Sequence, residues 1–296
     1  MKKQLLAVTL AALAMGSAFA QANDTLAKAK STGKVVMGVR ESSAPLSYTL
    51  GDGKFAGYHV ELCERIVKAL VPTAKIEYTP VTSANRIPLV QNGTVDIECG
   101  STTNNATRQK DVSFALTTYV TEVRTAVKAN SGIKSIAQLN GKVVATTTGT
   151  TSVALLRRHE RANTVNFNEV YGKDHADSFL LLESGRADAF VMDDNILAGL
   201  IASSKSPKDY AIVGETLNVE PIAIMMRKED TAFKKAVDDQ IRAMIKSGEL
   251  EKLYTKWFMS PIPPKNTSVN LPMGEVLKGL LANPSDKPAE EYNAKK

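Results

Sequence analysis

The sequence predicts two related α/β lobes joined by a two-strand hinge, and three observations carry that fold class. Two stretches align without gaps: NRIPLVQNGTVDI at 85–97 and DSFLLLESGRADA at 177–189 share leucine, glycine and aspartate at matching places. Each follows a strand with a similar start, Gly33-Lys34-Val35-Val36 and Gly141-Lys142-Val143-Val144. Strand, helix, strand order with short apolar strands implies parallel sheets covered by helices, and its recurrence implies two lobes rather than one doubly wound sheet. The 276 residues that remain after the first 20 are also long enough to favour two domains.

At the start, Lys2 and Lys3 precede an 11-residue apolar run at 5–15 and then Ala18-Phe19-Ala20. That pattern predicts a signal peptide at 1–20, cleaved after Ala20; a membrane span needs ~20 apolar residues in a helix. No cysteine follows the cleavage point, so no lipid anchor is expected, and no later stretch is apolar enough to span a bilayer. Cleavage takes the formal charge from +6 to +4 with basic residues scattered, which argues against a nucleic-acid partner.

The first lobe is assigned to 21–118 and 222–270 and the second to 119–221. In the first, 57–70 places Val60, Leu62, Ile66, Val67 and Leu70 at helical spacing. A helix opened by Asn85 and closed by Gly93 follows, then a strand at 95–99. An extended crossover at 114–127 leads to the second lobe, with a helix at 152–161, another opened by Asp177 and closed by Gly185, and a strand at 187–192. A β-like segment at 221–226 returns the chain, and amphipathic helices at 232–245 and 250–258 end before Pro261, Pro263 and Pro264. The segment 271–296 reads as a tail, with a short helix at 274–282 and a loose remainder.

In open α/β sheets, ligands bind outside the carboxyl ends of the strands. Arg40-Glu41-Ser42-Ser43 follows the first strand, and Gly100-Ser101-Thr102-Thr103-Asn104-Asn105 follows the strand at 95–99, with Arg108 one turn on. In the second lobe 146–152 runs from strand into helix, a junction whose free N–H groups and dipole suit an anion, and Asp193 and Asp194 end the strand at 187–192. Singly, such arginines and hydroxyls are ordinary surface charges and caps. Together they place polar groups at successive strand ends of both lobes.

An enzyme would need a nucleophile and a positioned base, yet His59, His159 and His175 accompany no nucleophile motif. Glu98 remains as a lone acid or base candidate, and no phosphate-cradling glycine motif is present. Cys63 and Cys99 lack C-x-x-C or metal spacing, so neither a metal nor a cofactor is expected. In an oxidising compartment the two thiols can pair; buried unpaired thiols are the alternative, and the sequence does not decide between them.

Longer motifs carry a family resemblance: Arg40-Glu41-Ser42-Ser43, TSANRIP at 82–88, ECGSTTNN at 98–105, Lys173-Asp174-His175 with Asp177-Ser178-Phe179, LESGRA at 182–187, Met192-Asp193-Asp194 and PIPPKN at 261–266. Across 33–268 the chain resembles the periplasmic glutamate/aspartate-binding proteins of ABC transporters, within the polar amino-acid-binding family. The resemblance implies a type II periplasmic-binding-protein fold, a monomer in the periplasm, L-glutamate or L-aspartate as ligand, and a membrane permease as partner. It also implies roles: Ser101, Thr103, Arg108 and Thr151 for the α-carboxylate, Asp193 for the α-ammonium, and Arg40, Ser83, Arg86 and His175 for the side-chain carboxylate. A dehydratase-like enzyme on the same fold is the alternative.

Charge agrees with that division, because Arg40, Arg86, Arg108 and Asp193 sum to +2 against a ligand of −1. A neutral amide would leave a buried guanidinium without its partner at a cost of ~1–3 kcal/mol. His175 adds positive charge where a neighbouring carboxylate keeps it protonated, so affinity is expected to fall as pH rises through its titration. One methylene separates glutamate from aspartate, and the sequence does not rank them.

Overall fold

Two five-stranded sheets organise the chain, which the computed structural model describes over residues 24–293; the expected signal peptide lies outside the described residues. The first lobe opens with α1 (Thr25–Thr32) and β1 (Lys34–Val39), then a small meander of β2 (Ser42–Ser43), β3 (Ser47–Gly51) and β4 (Lys54–Ala56). It continues through α2 (Tyr58–Leu70), β5 (Lys75–Pro80), α3 (Arg86–Gln91), β6 (Ile97–Glu98) and β7 (Val112–Phe114). The long strand β8 (Tyr119–Lys128) crosses to the second lobe, built from β9 (Val143–Thr147), α4 (Thr151–Asn163), β10 (Asn168–Gly172), α5 (His175–Glu183), β11 (Ala189–Asp193) and α6 (Asp194–Ser203). Return is by β12 (Tyr210–Ile222) to β13 (Met225–Arg227), α7 (Thr231–Lys246) and α8 (Glu249–Tyr254), followed by α9 (Glu275–Ala282) and α10 (Ala289–Asn293).

The strand orders are β5-β1-β6-β13-β7 and β10-β9-β11-β8-β12. Pairing is parallel among β5, β1 and β6, and among β10, β9 and β11, as the helical connections require. The sheets are nevertheless mixed: β13 and β8 run antiparallel to their neighbours. The cause is the crossing itself, which leaves and re-enters each lobe as an antiparallel ribbon. At the crossing Ala115 N donates to Ile224 O (2.9 Å) and Thr118 N to Ile222 O (3.2 Å). Phe114, expected in the crossover, ends β7 of the first sheet instead.

The first lobe buries a large apolar cluster around Met37, Leu62, Ile66, Val237 and Ile241 and a smaller one around Val90, Val95, Phe114 and Met225. Beside the crossing, Phe258 stacks on Tyr119 and Tyr254 with ring centroids 4.6 and 4.4 Å apart, a geometry that adds to their area burial. Cys63 in α2 and Cys99 just after β6 are joined as a disulfide, with Cα atoms 6.4 Å apart. The second lobe also divides its core, with Val123, Val144, Leu156 and Val191 in one cluster and Ala126, Phe179, Phe190 and Leu197 in the other.

Both repeat glycines take the left-handed conformation, Gly93 at φ 78° and Gly185 at φ 72°. The helix starts differ from expectation. The amide of Asp174 accompanies a capping box in which Asp177 accepts from Asp174 N (3.1 Å), so α5 begins two residues before Asp177. Asn85 does not cap; its side chain accepts from Thr82 N (2.7 Å). The tail is not loose either: Thr117 N donates to Ser285 O (2.9 Å), Asn104 Nδ2 to Asp286 O (2.8 Å) and Ala106 N to Glu290 Oε2 (3.0 Å). Those backbone and carboxylate acceptors pin it beside the crossing, a tertiary effect that composition does not encode. Among the described residues no helix is long and apolar enough to cross a membrane.

Candidate functional site

Where the two lobes face each other, the carboxyl ends of β1, β6, β9 and β11 converge on a narrow, nearly closed cavity. Its walls include Ser83, Arg86, Ser101, Thr103 and Arg108 from the first lobe and Thr150, Thr151, His175, Met192 and Asp193 from the second. Eight of the nine ligand-site residues expected from sequence therefore line one space. The lobes touch around it: Arg108 Nη2 donates to Gly149 O across the cleft (3.3 Å). Gly149, at φ 80°, lies so close that a Cβ there would stand 2.8 Å from Ala84 backbone atoms, an approach only glycine permits.

Arg40 is the exception among the nine. It is fully buried one layer behind the wall, donating from Nη1 to Ser101 Oγ (3.2 Å) and from Nη2 to Ser83 Oγ (3.1 Å) and Asp174 Oδ1 (2.6 Å). Its charge is already met by a carboxylate of the other lobe, and it is not among the residues that line the cavity. Asp174 also accepts from Ser42 Oγ (2.6 Å), making a second bridge between the lobes.

His175 lies between Arg40 and Thr147, with Nε2 3.2 Å from Arg40 Nη2 and Nδ1 3.0 Å from Thr147 Oγ1. A guanidinium can only donate, so Nε2 is the acceptor and the ring proton sits on Nδ1. Burial, with Arg40 next, pushes the imidazole down to about 3 against the smaller opposing pull of Asp174. The ring is neutral, and the expected extra positive charge is absent: one adjacent carboxylate does not offset desolvation and an adjacent arginine.

Arg86 is the unusual group. Only 2 % exposed, its Nε and Nη1 have no hydrogen-bond partner among the described residues. Burial, followed by Arg108 and Arg40, pushes the guanidinium well below its usual range. Buried charge without a partner is expensive, and an anion in the cavity would relieve it. Arg108 is better held, donating from Nη1 to Thr103 O (2.9 Å). Across the cavity, burial together with Glu220 and Asp194 raises Asp193 well above the usual carboxylate range, against the pull of Arg86 and Arg108. A cation beside it would reverse that shift.

Two buried carboxylates, Glu98 and Glu220, and one half-buried, Asp174, were outside the expected site set. Glu98 accepts from Thr102 Oγ1 (2.7 Å) and has Oε1 unpartnered among the described residues; Glu220 accepts from Thr103 and Thr151; Asp174 holds Arg40. With Asp193 they outnumber the three arginines, so the net charge of the site is not what favours an anion. What favours it is the position of one unpaired cation. Asp174 was readable beside His175 in its motif, whereas Glu220 sits in no motif at all. His59, a base candidate by type, is structural: it is neutral, pushed down to about 4 by burial, and its Nδ1–H donates to Gly100 O (2.6 Å) while Nε2 accepts from Thr118 Oγ1 (2.9 Å). Among the described residues no cluster of His, Cys, Asp and Glu is arranged to hold a metal.

Comparison with known proteins agrees with this architecture. Residues 35–260 match the model of the bacterial extracellular solute-binding proteins, family 3. The L-glutamate/L-aspartate-binding protein of Pseudomonas aeruginosa is 47% identical over 274 residues, covering 90% of each chain. A glutamate/aspartate import solute-binding protein of Escherichia coli K12 is 44% identical over 293 residues, covering 95% of this chain and 97% of the relative. Among solved structures, a solute receptor for L-cysteine of Neisseria gonorrhoeae superposes with a TM-score of 0.72 at 25% identity, over 82% of this chain and 97% of its own. These relatives are solute-binding proteins, which sets the enzymatic alternative aside, and their two-lobed fold is the one built here. The chain belongs to the bacterial extracellular solute-binding proteins of family 3.

Proposed function

We propose that the chain binds L-glutamate or L-aspartate between its lobes in the periplasm and presents it, as a monomer, to the membrane permease of an ABC importer. The observation that carries the ligand assignment is Arg86, a buried guanidinium facing the cavity without a partner. The names of the curated relatives supply the same chemistry independently. In this reading Arg108, with Ser101, Thr103 and Thr151 around it, meets the α-carboxylate, and Asp193 takes the α-ammonium. Arg86, with Ser83 and His175, meets the distal carboxylate, and Arg40 orients Ser83, Ser101 and His175 from behind.

Two carboxylates and one ammonium cannot all be met by one wall, so ligand contacts form fully only when both walls engage. That is differential affinity for the closed state, which is what shifts a hinge equilibrium. The moving bodies in this proposal are 21–118 with 222–270 and 119–221, turning about the paired crossing segments. Calorimetric titration with glutamate, aspartate and glutamine, with mass analysis of the recovered ligand, tests the reading. Saturable binding of unchanged dicarboxylates, at least tenfold tighter than glutamine, is expected; equal affinity for glutamine, or conversion of the ligand, would overturn it.

A further inference from the structure

Glu220 lies near the end of β12, 1 % exposed, where the chain is about to recross between the lobes. Its Oε2 accepts from Thr103 Oγ1 (2.6 Å) and from Thr151 Oγ1 (2.9 Å), and its Oε1 accepts from Asn218 Nδ2 (3.0 Å). Thr103 belongs to the first lobe and Thr151 opens α4 in the second, so one carboxylate oxygen gathers hydroxyls from both sides of the cleft.

A threonine hydroxyl has a single proton. Both protons point at Glu220, yet both residues line the cavity, so the threonine oxygens offer the ligand lone pairs and no donor. Asp193 lies on the same cavity. Two hydroxyl acceptors and a carboxylate cannot hold a second carboxylate, but they match the three N–H bonds of an ammonium.

We propose that Glu220 is a positioning residue: by taking the hydroxyl protons of Thr103 and Thr151 it sets both as acceptors for the ligand's α-ammonium and ties the lobes in the closed arrangement. The α-carboxylate is then left to Arg108 and to the backbone N–H groups that open α4. The inference rests on the amino-acid reading above and refines its assignment of Thr103 and Thr151.

The test compares L-glutamate with glutarate, the same dicarboxylate without the amine, by calorimetric displacement. Glu220→Met is expected to weaken glutamate about tenfold or more and glutarate less than about threefold, because only glutamate uses the acceptors. Glu220→Gln, whose amide oxygen still accepts, is expected to recover most of the loss. In a Thr103→Val background the Glu220→Met effect should shrink, as coupled neighbours require. Should Glu220→Met fail to fold, Glu220→Ser carries the same comparison. Parallel loss of both ligands, or no loss, overturns the inference alone. A wild-type protein that binds neither dicarboxylate overturns the acidic-ligand reading and this inference with it.

Discussion

The first lobe brings Arg86 and Arg108 to the cavity with Arg40 behind them, whereas the second brings Thr151, a neutral His175 and Asp193. Their scaffolds differ too: the first lobe has a large apolar cluster with an aromatic stack and a disulfide beside a smaller second cluster, whereas the second lobe has two small clusters on its sheet. Cationic groups thus stand on the more strongly braced lobe. The contrast teaches that ionic recognition here depends on placement. Carboxylates outnumber guanidiniums around the cavity, but Coulomb energy falls with distance and with local polarity, so a cation without a partner outweighs a distant surplus of anions.

If that division of labour is right, removing the two cavity arginines should have different consequences. Arg108 stands opposite the start of α4, and in the proposed pose every α-amino acid uses it. Arg108→Met is expected to weaken glutamate, aspartate and glutamine alike by roughly 3–5 kcal/mol, two orders of magnitude or more in affinity. Calorimetry with the three ligands reads this directly, and retention of glutamine binding would move the α-carboxylate elsewhere.

The next largest effect concerns bracing. The disulfide ties α2 to the segment that continues into Gly100–Thr103 and closes a separation of 36 residues. Replacing both cysteines by alanine should cost about 3–4 kcal/mol of stability in the chain-entropy model, seen as a lower denaturant midpoint. A midpoint unchanged in the double variant would show that the core alone braces the first lobe.

Arg86→Met sharpens the comparison within the first lobe. It removes a partner of the distal carboxylate only, so glutamate should weaken by about 1–3 kcal/mol while glutamine changes little. The same factor for both ligands would mean that Arg86 does not read the side chain.

These predictions draw unevenly on what could be read from sequence. The paired stretches at 85–97 and 177–189 reported both lobes because strand ends and left-handed glycines are local signals, and Gly93 and Gly185 obey them. The meander β2–β4 was not readable, since strands of two to five residues show no period. Polar residues after strands located five wall residues, Ser101, Thr103, Arg108, Thr151 and Asp193, because strand ends face the opposite lobe, whereas Ser83, Arg86 and His175 came only from the family resemblance. What sequence could not supply was pairing. Asp174 lies 134 residues from Arg40 and Glu220 lies 117 from Thr103, and nothing local announces that a carboxylate from the far lobe will already hold an arginine or orient a hydroxyl.

His175 provides the smallest effect and the most direct check on the second lobe's neutrality. The sequence expectation was that a ring kept protonated by a neighbouring carboxylate would lose its charge, and weaken binding, as pH rises through its titration. Burial and Arg40 instead push it down to about 3, so between pH 6 and 8 the ring is neutral and has no charge to lose. Asp174, whose carboxyl is held low by Arg40 despite its burial, is ionised throughout that range. His175 and Asp174 should therefore contribute less than about a threefold change in glutamate affinity between pH 6 and 8, because neither group changes charge there. Calorimetry across the range, paired with NMR titration of the His175 ring with and without ligand, measures both quantities. A tenfold loss of affinity on raising the pH, with ring signals titrating near 6.5 only in the complex, would show that the bound carboxylate lifts His175 into its charged form. The second lobe would then contribute a cation of its own, and the contrast between the lobes would hold only for the unliganded protein.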